Sequence, residues 1–289
     1  MAAPLLAIDA PFLLYRSFFA LPESIRGIDG RPVGALLGAT NAVLRVAAER
    51  QPRAVVFCFG AEAAEYRVAL YPPYHAERPP VPDALAWQFD VAPELFAAFG
   101  WSSQSVDGLE ADDVLGSLAV AETEAGNTAL ILTGDRDLYQ CAAAGVTVLY
   151  SKMGTSGFEH IDPGEVVRRY GVAPELVPDF IALRGDPSDG LPGAPGIGAK
   201  TAAALLERHG SLEQAIAGAE AERPRIAAVL HDHADQLRAF KDIATLRPVD
   251  VERPGDQATN LAGGAEAVRG LGMRRLAERL ESADTLRDL

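Results

Sequence analysis

The sequence predicts an α/β fold, a parallel-rich central sheet covered by helices, followed by an all-helical region. Three observations carry this. Short apolar runs of strand length alternate with longer segments of helical spacing through the first half of the chain. Beyond about residue 160 such runs give way to amphipathic segments joined by Gly/Pro loops. Carboxylates also stand where the apolar runs end, which is where open α/β sheets bind ligands.

In chain order, PLLAIDA (4–10) reads as the first strand and VGALLGATNAVLRVAAE (33–49) as a helix. RAVVFCF (53–59) is the second strand, and a helix follows GLEADD (108–113). TALILTG (128–134) and VTVLYS (146–151) complete four strands. The later segments 165–186, 200–210, 211–218, 223–246 and 266–282 read as helices, with Ile226, Leu230, Leu237, Phe240 and Ala244 marking one apolar stripe. A division near 170/171 follows, and no internal repeat or low-complexity tract interrupts either part.

The chain has 289 residues, enough for one large domain or two moderate ones with a real core. Its opening, MAAPLLAIDAPFLLYRSFFA, has no basic region, and Asp9 interrupts the apolar run, which argues against a signal peptide. Cys58 and Cys141 show no metal or disulfide spacing. A cytoplasmic protein without a membrane span is expected. The formal net charge of −14 counts against a polyanion partner, unless bound cations neutralise a local concentration of carboxylates.

GLEADDVLGS (108–117) crowds Glu110, Asp112 and Asp113 into four positions. At a helix N-terminus each acid gains about 0.3–1 kcal/mol from the macrodipole. Two unit charges about 5 Å apart repel by about 0.8 kcal/mol in water and about 3 kcal/mol at an effective dielectric near 20. Exposed, the cluster is tolerable; in a cleft it needs a cation. Glu110 and Asp113 lie about 60° apart around a helix axis and can share a target.

Further acids point to the same sheet edge. Asp9 ends the first strand, and Asp135 and Asp137 follow the third. Asp186 and Asp189 sit in LRGDPSDGLPG (183–193), which a bend of the chain could bring over that edge. Any one strand-end Asp is also a common turn residue or helix cap. Together, mixed carboxylates with few His or Cys suit Mg²⁺ or Mn²⁺ and poorly suit zinc. Two such ions about 4 Å apart make an in-line phosphoryl-transfer site.

The glycine-rich LPGAPGIGAKTAAALL (191–206) fails as a Walker motif, because Lys200 comes one residue too late after Gly198 and no strand precedes it. A dinucleotide fingerprint would need a βαβ unit. What remains is a turn whose free amides open a helix with Lys200 and Thr201 in its first turn, a receiver for an anion such as a DNA phosphate. A plain connection between two helices is the alternative.

LAIDAPFLLYRSFFAL (6–21), YRVALYPPYHAERPPVP (66–82), LEADDVLGSLA (109–119), TGDRDLYQ (133–140) and LRGDPSDGLPGAPGIGAKTA (183–202) together resemble the 5′-nuclease family, in its order and over nearly the whole chain. That family includes flap endonucleases and the 5′→3′ exonuclease domain of bacterial DNA polymerase I, and the chain resembles its standalone form.

The resemblance implies a PIN-like domain over residues 1–170, with a helical arch at about 64–95, and a helix–three-turn–helix DNA-binding domain over 171–289. It implies two ions, Mg²⁺ or Mn²⁺. Asp9, Glu110 and Asp112 would hold the first; Asp113, Asp135, Asp137, Asp186 and Asp189 would serve the second, directly or through water. Among these, Asp9 and Asp112 are the carboxylates implied to be catalytic, with Arg67 and His75 beside them. Arg67 and Arg78 would hold the scissile or 5′ phosphate. Tyr15, Arg16, Tyr74 and His75 would face DNA. Gly196, Ile197, Gly198, Lys200 and Thr201 would grip the duplex, in the family often through K⁺.

The implied activity is metal-dependent 5′→3′ exonuclease and flap endonuclease action in replication and repair. The implied substrates are DNA with a 5′ flap or 5′ single-stranded end and RNA primers in hybrids, acted on by a monomer. Two departures matter. Counting back from Tyr66-Arg67 puts Gly60 where the family's second strand ends in a metal-binding Asp, a place a water or Glu62 would fill. His75 stands where a lysine is usual and is charged only when protonated. They motivate a rival reading as a weakly catalytic DNA-binding paralogue; a PIN-type ribonuclease is a second. Tyr66, Tyr71 and Tyr74 either stack on threaded bases or pack within the arch, and Arg168-Arg169 reads as a solvated helix face.

Overall fold

The structure, a computed structural model, describes residues 3–151 and 157–289. Its sheet has six strands: β1 Leu5–Asp9, β2 Ala54–Cys58, β3 Ser102–Gln104, β4 Ala129–Thr133, β5 Val146–Tyr150 and β6 Glu159–Ile161. Their order is β3-β2-β1-β4-β5-β6, parallel throughout except for β6, which pairs antiparallel with β5. The chain runs outward from β1 to β2 and β3, then returns to β4 on the other side of β1. The strand order therefore reverses between β1 and β4, and the crevice beyond their carboxyl ends is where such sheets bind ligands.

All four expected strands are present. β3 and β6 were not expected, because SSQ and EHI are three-residue, largely polar edge strands without an apolar run. Along β1 and β2 the side chains alternate. Leu6, Ile8, Val55 and Phe57 face one buried layer, while Leu5, Ala7, Val56 and Cys58 face the other.

The first layer holds α1 Ala10–Ala20 and α2 Gly34–Arg50. A short helix, α3 Glu65–Leu70, and a turn-rich stretch then lead to α4 Asp83–Ala98, which returns to this layer. Its aromatic centre stacks Phe57 on Phe96 at 3.7 Å between ring centroids, with Trp101 on Phe99 at 4.4 Å. Each such buried ring contributes about 1.5–3 kcal/mol.

The second layer begins with α5 Ala111–Glu124 and α6 Pro163–Tyr170 and continues into α7 Val177–Arg184, α8 Ala199–His209, α9 Leu212–Ala217, α10 Pro224–Asp232 and α11 Ala234–Ala244. The apolar stripe read from the sequence is buried at Leu230, Leu237, Phe240 and Ala244. Arg168 and Arg169 both pair with Glu165 at the surface of α6.

The remaining helices, α12 Leu261–Gly270 and α13 Arg274–Ser282, do not stay with α7–α11 as a single unit over 171–289 would require. They cross back and pack on α4 and the first layer. Charge and hydrogen bonding hold this return. Fully buried Glu122 pairs with Arg53 and Arg253, Arg53 Nη1 donates to the Pro254 carbonyl at 2.7 Å, and Trp101 Nε1 donates to Thr259 Oγ1 at 2.9 Å. A buried carboxylate needs such partners, since an unpaired one costs several kcal/mol. Among the described residues no helix is long and apolar enough to cross a membrane.

Candidate metal centre

Asp9 is both the last residue of β1 and the N-cap of α1. Its Oδ1 accepts from the Phe12 amide at 3.0 Å, and its Oδ2 accepts from Thr133 Oγ1, at the end of β4, at 2.7 Å. Two residues beyond Thr133, Asp135 enters a tight turn and accepts the Asp137 amide at 2.8 Å. From the other side, α5 begins with Glu110 as its N-cap, which aims Asp112 at the same crevice.

These acids line one cavity of about 620 Å³, bounded by Asp9, Glu110, Asp112, Asp135, Asp137 and Asp189. Asp186 faces a smaller adjoining depression that shares Asp135. Burial raises Asp112 well above the ordinary carboxylate range, and the negative charges of Asp135, Asp9 and Glu110 raise it further. Burial and Asp189 push Asp135 up to about 7. Asp137 is raised by burial, then by Asp135, Asp189 and Asp186. Seven acids from two halves of the chain thus act on one another.

Among the described residues no three of these side chains are drawn together closely enough to hold one ion between them. Mutual repulsion explains their posture, because several of the carboxylates lean on a local donor. Asp186 Oδ1 accepts from both the amide and the hydroxyl of Ser188. Asp189 Oδ1 meets His75 Nε2 at 3.0 Å and Arg78 Nη2 at 3.2 Å. One buried oxygen of the cluster is orphaned: among the described residues Asp137 Oδ1 has no hydrogen-bond partner. An all-oxygen donor set with an orphaned buried acceptor fits a hard divalent cation.

Several expected roles are revised. Asp113 does not line the cavity; it is fully buried, with Oδ1 accepting from Arg67 at 3.1 Å and from the Arg247 amide at 2.8 Å. Its place at the third position of α5 turns it toward α11 instead of toward Asp112. Arg67 lines the cavity, but it is 2% exposed and bound to Glu110 and Asp113, so it presents no free guanidinium to a phosphate. Arg16 lies outside the cavity, where burial and nearby Arg45 lower its pKa.

Of the remaining expected contacts, Tyr15, Tyr74, His75 and Arg78 line the cavity. Tyr15 donates to Glu62 Oε1 at 2.9 Å and is pushed up to about 12 by burial and that carboxylate. Tyr74 stacks on His75 at 3.8 Å and donates to Glu110. Tyr71 packs edge-on against Phe240, and Tyr66 lies under the Arg247 guanidinium, so neither faces the cavity.

At the second-strand departure, Gly60 packs closely against the start of α5. A Cβ on Gly60 would stand 2.4 Å from the Ala111 amide nitrogen, so this position admits no side chain while α5 starts where it does. The residue that pairs with Asp9 in the parallel register is Cys58. Its thiol is raised by burial and then by Asp9 and Asp112.

At the glycine-rich turn, Gly196 has φ +76° and Gly198 caps α8, with Ile197 buried as an apolar peg between them. Lys200 is exposed and Thr201 partly so in the first helical turn. One residue here escaped sequence reasoning. Arg225 at the start of α10 lays its guanidinium on this turn, its Nη2 3.1 Å from where a Gly196 Cβ would be. Only the fold brings positions 196 and 225 together.

Residues 4–171 match the family model for the 5′-3′ exonuclease N-terminal resolvase-like domain, and residues 172–263 match the model for its C-terminal SAM fold. The chain is 36% identical to a 5′-3′ exonuclease of Mycobacterium tuberculosis (strain ATCC 25618 / H37Rv), with 99% of each chain covered. It is also 36% identical to the thermostable DNA polymerase I of Thermus thermophilus over 98% of this chain, but it spans only 33% of that relative's length. Among solved structures, the bacteriophage T5 D15 flap endonuclease in complex with DNA and metal ions has the same fold. Its TM-score is 0.69 at 15% identity, with 99% of this chain and 100% of that chain covered.

Proposed function

The chain belongs to the 5′-3′ exonuclease family, and on that footing we propose that it hydrolyses DNA phosphodiesters at 5′ flaps and 5′ single-stranded ends with two divalent cations. The observation that carries this reading is the convergence of Asp9, Glu110, Asp112, Asp135, Asp137 and Asp189 on one cavity at the reversal point of the sheet.

Asp9, Glu110 and Asp112 would hold one ion; Asp135, Asp137, Asp186 and Asp189 would hold the other, directly or through water. Mg²⁺ or Mn²⁺ suits these oxygen donors. Bound there, the pair would supply Lewis-acid activation of water and neutralise the departing 3′ oxygen. Thr133 and the Phe12 amide fix both oxygens of Asp9, so it meets an ion without searching rotamers. Arg78, the partly exposed cation on the cavity wall, would receive the phosphate in place of Arg67. Tyr15 and exposed Phe19, stacked at 6.4 Å, add aromatic surface to the cavity lining.

The Gly196–Gly198 turn with Lys200 and Thr201 would track the duplex backbone, with K⁺ at the turn. A cytoplasmic monomer and RNA–DNA primer hybrids as further substrates belong to the same reading. A DNA-binding paralogue of weak catalysis is the second reading, favoured by Cys58 beside Asp9 and by His75 held on Asp189. A 5′-labelled flap assay with and without Mg²⁺ or Mn²⁺, beside Asp135→Asn, decides. Metal-dependent cleavage lost in the variant supports the first; tight flap binding with uncut DNA in both metals supports the second.

A further inference from the structure

Arg67 binds three separate parts of the molecule with one guanidinium. Nη1 meets Glu110 Oε2 at 2.6 Å, Nη2 meets Asp113 Oδ1 at 3.1 Å, and Nε donates to the Ile243 carbonyl at 3.0 Å. Glu110 faces the metal cavity, Asp113 lies behind it, and Ile243 is in the last turn of α11. The loop after α11 is held at the same junction, since the Arg247 amide shares Asp113 Oδ1, and Gln140 accepts from the Leu246 amide while donating to the Ala244 carbonyl.

We propose that Arg67 is a positioning residue that ties the seating of the helical region to the orientation of Glu110 in the metal cavity. This rests on reading that cavity as a divalent-cation site. Charge and shape support it. Two buried carboxylates without Arg67 would repel each other and swing apart, whereas a planar guanidinium fixes both at set angles. Glu110 keeps further anchors in the Ala64 amide at 2.7 Å and the Tyr74 hydroxyl at 3.1 Å. Among the described residues, Arg67 is the side chain that bonds both the Glu110 carboxylate and α11. A displacement of α11 reaches Glu110 through one rigid plane, with no flexible segment between.

Lysine keeps the charge at position 67 but cannot span the three partners. Mn²⁺ binding to the full chain without DNA, followed by the paramagnetic signal of free Mn²⁺, gives a readout independent of turnover. Arg67→Lys is expected to weaken Mn²⁺ binding about tenfold. In a Glu110→Gln background the same change should add less than about twofold, because both substitutions act through one carboxylate. Asp113→Asn, outside the cavity, should weaken Mn²⁺ binding by about threefold, and it keeps the test open if Arg67→Lys fails to fold.

Equal losses from Arg67→Lys in both backgrounds would overturn the proposal. So would unchanged Mn²⁺ affinity together with weakened flap binding, which would make Arg67 a phosphate ligand after all. Failure of the unsubstituted chain to take up Mn²⁺ would instead overturn the metal reading beneath it.

Discussion

Thr133 Oγ1 and Asp9 Oδ2 are joined by a 2.7 Å hydrogen bond between the carboxyl ends of β4 and β1. These are the strands between which the sheet order reverses, so one bond ties the crevice shut at its floor. Burial raises the Asp9 carboxyl, while the Thr133 hydroxyl and the Phe12 amide pull it back.

Thr133→Val keeps the shape and removes the donor. The buried carboxylate then loses a charge-assisted bond, and the chain should lose about 1.5–3 kcal/mol in urea unfolding at neutral pH. Mn²⁺ affinity should fall as well, since Asp9 is freed to rotate. Unchanged stability would show that water replaces the hydroxyl.

The raised carboxylates predict an unusual pH response. Asp135 sits near 7 when folded, and burial with neighbouring charge raises Asp112 and Asp137 well above their ordinary value. A folded state that holds protons more tightly than the unfolded chain has this stability in full below the unfolded value of about 4. It loses it as pH rises through about 7. The metal-free melting temperature should therefore fall from about pH 5 to about pH 8, and less so in Asp135→Asn. Divalent ions compete with those protons, so the stabilisation by Mn²⁺ should grow over the same range. A metal shift independent of pH would count against the cluster.

Adding back a carboxylate at the second strand separates two positions. Gly60→Asp would force its Cβ into the Ala111 amide and should cost about 1–3 kcal/mol or more without improving metal affinity. Cys58→Asp places the acid beside Asp9 in register. It should destabilise the metal-free chain yet lower the Mg²⁺ concentration for half-maximal binding, measured by calorimetry. Improved binding by Gly60→Asp alone would mean that the start of α5 shifts freely.

Arg225 offers a test of the duplex track. Arg225→Ala should weaken flap binding across sequences and reduce the slope of log affinity against log salt by about 0.9, one phosphate contact. No change in slope would remove Arg225 from the interface.

Much of this was legible in the sequence because periodicity and strand-end acids are local signals. PLLAIDA and TALILTG announce buried strands, and Asp9 and Asp135 fall at or just beyond their tips whatever the tertiary details. What escaped depended on distance. The resemblance placed Asp113 and Arg67 among the site groups, but Ile243 of α11 and the Arg247 amide just after it come from more than a hundred residues away and hold them. The pairing of Cys58 with Asp9 depends on strand register, and the return of α12 and α13 is written in partners such as Arg53 and Glu122 that no spacing rule connects.

The central claim is that acids from both halves of the chain bind a pair of divalent cations. Anomalous diffraction from Mn²⁺-soaked crystals tests it directly. Two peaks about 4 Å apart, one against Asp9, Glu110 and Asp112 and the other against Asp135, Asp137, Asp186 and Asp189, are the predicted result. A cavity free of anomalous density at saturating Mn²⁺, with these carboxylates still on their present partners, would contradict it.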